Sequence, residues 1–344
     1  MKTVVIHAAK DLRVEERDAD SPGPGQVGIA IGAGGICGSD LHYYLHGGFG
    51  VVRVKQPMVL GHEVSGTITA VGPGVETLRV GDRVAVSPSL PCNKCEYCLK
   101  GQQNHCLDMR FYGSAMRMPH VDGAFRQALV AEAGQCHKLA EGVSLAEGAF
   151  AEPFAVTLHA VNRAGSLLGK RVLVTGSGPI GALCVIAARA HGAREVITTD
   201  VLDGPLAFAR KVGADETINV ADAPERLAAL GTGKGTVDVM FEASGNGAAL
   251  TAGIAALRPH GTLVQLGLGG DVALPQNTVV GKEIEIRGSF RFLDEFALAV
   301  DLINQRRVDV RPLLSQTFPV DEAVRAFDTA ADRRHAMKVQ LAFQ

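Results

Sequence analysis

Cys92, Cys95, Cys98 and Cys106 stand in the stretch PCNKCEYCLKGQQNHC, with two, two and seven residues between them. A bacterial ferredoxin run ends in a three-residue gap, with proline after the last cysteine; here seven residues intervene and Leu107 follows. A haem attachment needs Cys-x-x-Cys-His, and no histidine directly follows either close pair. Four sulfurs at this spacing suit tetrahedral zinc, at about 2.3 Å per bond, in a closed shell with no open position. Such a zinc holds a loop in shape and does no chemistry. The odd total of seven cysteines weighs against a disulfide lobe. A nucleic-acid-binding finger is disfavoured too, because Lys94 and Lys100 are offset by Glu96 and Asp108 and no basic recognition helix is present.

A second set of metal-binding side chains is dispersed. Cys37 lies in GGICGSDLHYY, His62 and Glu63 in PMVLGHEVSGTI, and Glu152 in FAEPFAVTLHA. A thiolate, an imidazole and a carboxylate, with one position left for water or substrate, make a catalytic zinc site. Spacing alone leaves the alternative open that Cys37 is a small core residue and His62 a hydrogen-bonded structural histidine. Gly61 permits an unusual backbone conformation, and adjacent His and Glu side chains reach one centre only where the chain bends.

The third feature is KRVLVTGSGPIGALCVIAARAHGAREVITTD, residues 170–200. An apolar strand runs into Gly176-x-Gly178-x-x-Gly181, then an apolar helical stretch, then a second strand ending at Asp200. This is the strand–turn–helix–strand context of a dinucleotide site. Gly176, Gly178 and Gly181 allow the tight turn, Pro179 and Ile180 open the helix, and the helix N-terminus takes the pyrophosphate. Asp200 would accept hydrogen bonds from the adenosine ribose and repel a 2′-phosphate. The following VLDGP has no Lys or Arg, which favours NAD over NADP.

These residues need a scaffold. At 344 residues the chain is long enough for about two domains. With 47% hydrophobic and 20% charged residues it is globular, and a net charge of −2 gives no case for nucleic acid or an anionic membrane. No signal peptide is seen at the start, and the uncharged run Val172–Ala188 contains the glycine turn, so it reads as strand, turn and helix rather than as a membrane span. The expected compartment is the cytoplasm, where free thiols stay reduced, which also weighs against a disulfide lobe. Strands at 214–220, 237–244, 261–267 and 282–290 follow the first two, giving a doubly wound parallel sheet of six. HAMKVQLAF, 335–343, is a further strand that would rejoin the N-terminal, β-rich part.

From GGICGSDLHYY through PMVLGHE, the four-cysteine lobe, AEP and GSGPIG to KVQLAF, the chain resembles the zinc-dependent medium-chain alcohol dehydrogenases, in their sorbitol dehydrogenase branch. CGSDLHYY, DMRFYGSAMRMPHVDGAF, QLGLGG and GKEIEIRGSFRF resemble the L-idonate-oxidising members. The resemblance implies a two-domain α/β fold. A GroES-like catalytic domain would span 1–150 and 291–344, with the zinc lobe at about 88–110, and a Rossmann domain would span 151–290. It implies two zinc ions per chain, NAD, a small-molecule sugar acid or polyol as substrate, and a homo-oligomer, dimer or tetramer. Cys37 and His62 would hold the catalytic zinc with Glu63 or Glu152, Glu63 ranking ahead. Ser39 would take the substrate proton and His42 would pass it on. The expected reaction is L-idonate plus NAD to 5-ketogluconate, with sorbitol or xylitol as the alternative substrate and threonine or butanediol further off. A sugar acid's carboxylate calls for a fixed cation. Arg110, Arg117 and His120 lie in the idonate-like stretch and Arg291 in GSFRF, while Tyr43, Phe111, Tyr112 and Phe292 would wall the pocket. Relatives of this fold that lack the catalytic zinc serve as reductases or binding proteins, but Cys37 and His62 are both present.

Overall fold

Apolar strands of four to nine residues alternate with helices through the second half of the chain, and they assemble as expected. The computed structural model describes residues 1–343. Arg171–Thr175, Glu195–Asp200, Glu216–Asn219, Val237–Glu242, Leu257–Gln265 and Glu285–Gly288 form one six-stranded sheet with every pairing parallel. Across the sheet the order is third, second, first, fourth, fifth, sixth. The order reverses at Arg171–Thr175, so a crevice opens at the carboxyl ends of that strand and of Val237–Glu242. Val237–Glu242 is buried at every position, as a strand covered by helices on both faces must be. The run Val172–Ala188 resolves into a strand, a turn and the helix Pro179–Ala190. Among the described residues no helix is long and apolar enough to cross a membrane.

The first half, joined by two strands from the C-terminal end, builds a seven-stranded sheet. Cys136–Lys138, Arg83–Val86, Glu63–Val71, Gln26–Gly35, Lys338–Ala342 and Leu314–Pro319 lie side by side in that order, and Ala128–Glu132 also pairs with Gln26–Gly35. Lys338–Ala342 runs antiparallel to Gln26–Gly35 and parallel to Leu314–Pro319. Val27, Ile29, Ile31, Ile68, Leu341 and Phe125 share the core of this unit, each such side chain contributing roughly 1.5–3 kcal/mol on burial.

Two elements tie the halves together. The helix Ala151–Ala164 packs against the helix Glu295–Asn304 through Phe154, Leu158, Phe296 and Ile303. His159 Nδ1 lies 3.0 Å from Glu295 Oε1, and Asn162 Nδ2 donates to the same oxygen at 2.8 Å. The cysteine lobe is closed at its base by pairing of Arg110–Phe111 with Ser89–Leu90. It leans on the exit from the parallel sheet, where Asn104 Nδ2 donates to the Phe290 carbonyl at 3.1 Å.

Candidate active site and zinc lobe

Cys37 caps the helix Gly38–His46. Asp40, fully buried, fixes the cap: its Oδ2 accepts the Cys37 N–H at 3.0 Å and its Oδ1 the Gly61 N–H at 3.3 Å. Gly61 has φ +91°, and a Cβ there would stand 2.1 Å from Phe125 Cδ1, so the bend before His62 needs glycine. The outcome is that donor atoms of Cys37, His62 and Glu63 all lie within 4.8 Å of one another. His62 Nδ1 is buried without a hydrogen-bond partner, with Asp40 Oδ1 at 3.9 Å. An orphaned buried imidazole beside a thiol and a carboxylate fits a metal ion. Burial, reinforced by the Glu63 charge, pushes the Cys37 thiol up to about 12, so a thiolate there requires a cation to stabilise it.

The two carboxylates have different surroundings. Glu63 is buried and receives Lys338 Nζ on Oε1 at 2.8 Å and on Oε2 at 2.7 Å, while Lys338 also donates to the Ile36 carbonyl at 3.2 Å. Burial alone would lower the Lys338 ammonium; the Glu63 charge outweighs it and raises Lys338 above the usual lysine range. Glu63 faces Gly35 across the sheet, and a Cβ on Gly35 would sit 2.2 Å from Glu63 Oε2. Glu152, in the first turn of the helix Ala151–Ala164, lies outside the tight group, and burial pushes its carboxyl up to about 8.

Ser39 is half-buried and His42 exposed. His42 joins Cys37, Glu63 and Lys338 on the wall of one cleft, which continues to Gly176, Gly178, Pro179 and Ile180. Partial desolvation of its ring, with the neighbouring His46, holds His42 below the usual imidazole range.

The glycine turn is built as a cradle. A Cβ on Gly181 would stand 1.8 Å from the Gly176 carbonyl oxygen, and Gly176 has φ +85°. A Cβ on Gly178 meets nothing within 4 Å, so backbone faces open space at the start of the helix Pro179–Ala190. Asp200 closes the second strand, accepting the N–H of Ser177 at 2.8 Å and of Val201 at 2.8 Å. An exposed backbone turn at a helix N-terminus with an acid at its side fits a dinucleotide.

In the lobe, the sulfurs of Cys92, Cys95, Cys98 and Cys106 converge within 4.8 Å and form no disulfide. Backbone N–H groups of Cys98 and Leu107 aimed at Cys95 draw its thiol down to about 6. Four converging sulfurs with amides directed at them fit a closed zinc shell.

The substrate candidates divide. The Phe111 ring lies 5.5 Å from the His62 ring, and the Arg291 guanidinium stacks 4.7 Å above Phe111. Arg291, with φ +57°, also stacks on Phe290 at 4.8 Å. Phe292 is buried against Phe296. The Tyr43 hydroxyl is buried and accepts the Ala115 N–H at 3.1 Å. Tyr112 donates to Gln135 Oε1 at 3.2 Å. Arg110 is exposed, and Arg117 pairs with Asp108 at 2.6 Å. His120 is taken up by backbone: Nδ1 donates to the Arg117 carbonyl at 2.8 Å and Nε2 accepts the Lys55 N–H at 2.9 Å.

Residues 23–141 match the model of the alcohol dehydrogenase GroES-like domain, and 179–305 that of the zinc-binding dehydrogenases. The chain is 41% identical to L-idonate 5-dehydrogenase (NAD(P)(+)) of Escherichia coli (strain K12), over 99% of its own length and 98% of the relative's. The chain belongs to the zinc-binding dehydrogenase family. Sorbitol dehydrogenase of Gallus gallus is 40% identical, covering 98% of this chain and 95% of that one. The crystal structure of the E. coli L-idonate 5-dehydrogenase superposes with a TM-score of 0.94 over 99% and 98% of the two chains. That of galactitol-1-phosphate dehydrogenase from the same species gives 0.89 at 31% identity, over the full length of both. As a zinc-binding dehydrogenase the protein is an oxidoreductase with a nicotinamide dinucleotide cofactor, on a GroES-like unit joined to a Rossmann-like sheet.

Three residues of this zinc-binding dehydrogenase carry site geometry without having stood out in the sequence. Lys338 left a signal, a lone charge in the buried strand Lys338–Ala342. Asp40 left a weaker one, three residues past Cys37 where a capping acid belongs. Arg333, in ADRRHAM, reaches the same cleft as Gly178 and left none.

Proposed function

We propose that the protein oxidises a secondary alcohol of a sugar acid, L-idonate to 5-ketogluconate, reversibly and with NAD. The observation that carries this reading is the Arg291 guanidinium, stacked on the Phe111 ring that borders His62. A fixed cation beside that ring suits the carboxylate of a substrate whose hydroxyl is held near His62. The E. coli relative's activity as an L-idonate dehydrogenase supports it. The alternative, a neutral polyol, is supported by the sorbitol dehydrogenase relative at nearly equal identity.

Cys37, His62 and Glu63 would hold the catalytic zinc, with Glu152, outside that tight group, as the alternative carboxylate. Cys92, Cys95, Cys98 and Cys106 hold the structural one. When bound, the catalytic zinc supplies Lewis acidity at the substrate hydroxyl and the dinucleotide accepts hydride. Ser39 receives the hydroxyl proton, and His42 accepts it at the cleft wall. Gly176, Gly178, Pro179, Ile180 and Gly181 seat the pyrophosphate and Asp200 the adenosine ribose.

The catalytic unit comprises 1–150 and 291–344 and the dinucleotide unit 151–290. The enzyme works in the cytoplasm as a homo-oligomer, a tetramer or dimer. The sheet edge at Glu285–Gly288, with Ile286, Val280 and Phe290 exposed nearby, offers the surface for a second copy. Initial rates of NADH formation from L-idonate, D-gluconate, sorbitol and xylitol at one pH test the substrate. A large margin for sorbitol over L-idonate would overturn the sugar-acid reading.

A further inference from the structure

We propose that Arg333 is a cofactor-specificity residue that receives the 2′-phosphate of NADP(H), so that the enzyme binds both dinucleotides despite Asp200. The inference rests on the dinucleotide reading of the glycine turn. Asp200 Oδ1 is taken by the N–H groups of Val201 and Leu202, at 2.8 and 3.2 Å. Its Oδ2 accepts Ser177 N–H at 2.8 Å and lies 3.4 Å from Arg333 Nη2. No Lys or Arg occurs between Val201 and Pro205. The cation beside the ribose-binding acid therefore comes from 133 residues away, in the segment between the helix Ala323–Ala331 and the strand Lys338–Ala342.

That segment is held against the dinucleotide unit by backbone. A Cβ on Gly204 would stand 2.1 Å from the Arg334 carbonyl oxygen, so only glycine at the start of the helix Asp203–Lys211 lets the chain approach so closely. The Arg333 side chain is 58% exposed, its partner carboxylate 3%. Arg333 and Pro205 line the same cleft as the glycine turn. One long side chain, anchored by its backbone and tethered by a single 3.4 Å contact, is free to swing its guanidinium fork from Asp200 to a phosphate beside it. A phosphate dianion at that place meets two opposing charges, the Asp200 carboxylate and a bidentate donor that matches it. With NAD, whose 2′-hydroxyl donates to Asp200, Arg333 contributes little.

The test is titration of the zinc-loaded enzyme with NADH and with NADPH, read by nicotinamide fluorescence; the chain has no tryptophan to interfere. Arg333→Ala should weaken NADPH binding about tenfold or more and change NADH binding less than about threefold. Arg333→Lys, which keeps the charge and loses the fork, should fall between. An unchanged ratio of the two dissociation constants in Arg333→Ala would overturn the assignment while leaving the dinucleotide site intact. Wild-type protein that binds neither nucleotide would overturn the dinucleotide reading itself and this proposal with it.

Discussion

Lys338 Nζ grips both oxygens of Glu63, at 2.8 and 2.7 Å, with neither side chain more than 3% exposed. Removing one partner of a buried ion pair leaves an uncompensated charge and costs about 3–5 kcal/mol. Lys338→Met is therefore expected to lower the thermal unfolding midpoint sharply, and Lys338→Met with Glu63→Gln to recover most of the loss. If the single and double variants unfold at the same temperature, the pair does not carry that energy.

The two cysteine sets predict separable metal losses. Cys37→Ser should leave about one zinc per chain in elemental analysis and abolish turnover, while NADH still binds. Cys95→Ser should also leave about one zinc, but its main effect should be a lower melting temperature, because a closed shell contributes folding energy. Two zinc ions retained in either variant would contradict the assignment of that site.

Arg291 predicts a difference between substrates. Arg291→Ala should raise KM for L-idonate about tenfold or more while KM for sorbitol moves by less than about threefold, as the loss of a charge-assisted pair implies. Equal changes for both substrates would remove Arg291 from carboxylate recognition.

Glu295 predicts the acid limb of stability. Burial pushes its carboxyl up, but hydrogen bonds from His159, the Leu293 N–H and Asn162 outweigh this and take it down to about 2. A carboxyl lowered on folding contributes stability that is complete above its unfolded value, about 4.3. That contribution, about 3 kcal/mol, is lost as pH falls from about 5 toward 2. Between pH 5 and pH 3 the wild-type melting temperature should drop more steeply than that of Glu295→Gln. Parallel curves would show that the pairing with the helix Ala151–Ala164 does not depend on this charge.

What the sequence made legible was local. The cysteine spacing, the glycine turn and the six parallel strands each declare themselves within about thirty residues. Gly61 did too, since a bend between a strand and His62 is a backbone requirement that only glycine meets at φ +91°. Pairings made across the fold were not legible. Asp40 reaches Gly61 over 21 positions, Arg333 reaches Asp200 over 133 and Lys338 reaches Glu63 over 275. The VLDGP stretch shows the consequence: it lacks a cation in sequence, yet Arg333 stands beside Asp200 in space. Among the substrate candidates, the sequence named Arg291 and Phe111 with six others but could not sort them, because the stacking of Arg291 on Phe111 beside His62 is made across the fold.

The strand Lys338–Ala342 sits inside the sheet begun by Gln26–Gly35, and the whole parallel sheet is encoded between them. During synthesis the first half of the protein must wait, with Gln26–Gly35 missing a neighbour and Glu63 without its counter-charge, until the dinucleotide unit has emerged. Pairing of Glu63 with Lys338 is thus ordered in time behind the synthesis of the dinucleotide unit. A chain halted before residue 338 would hold all six parallel strands beside a Glu63 still without its counter-charge.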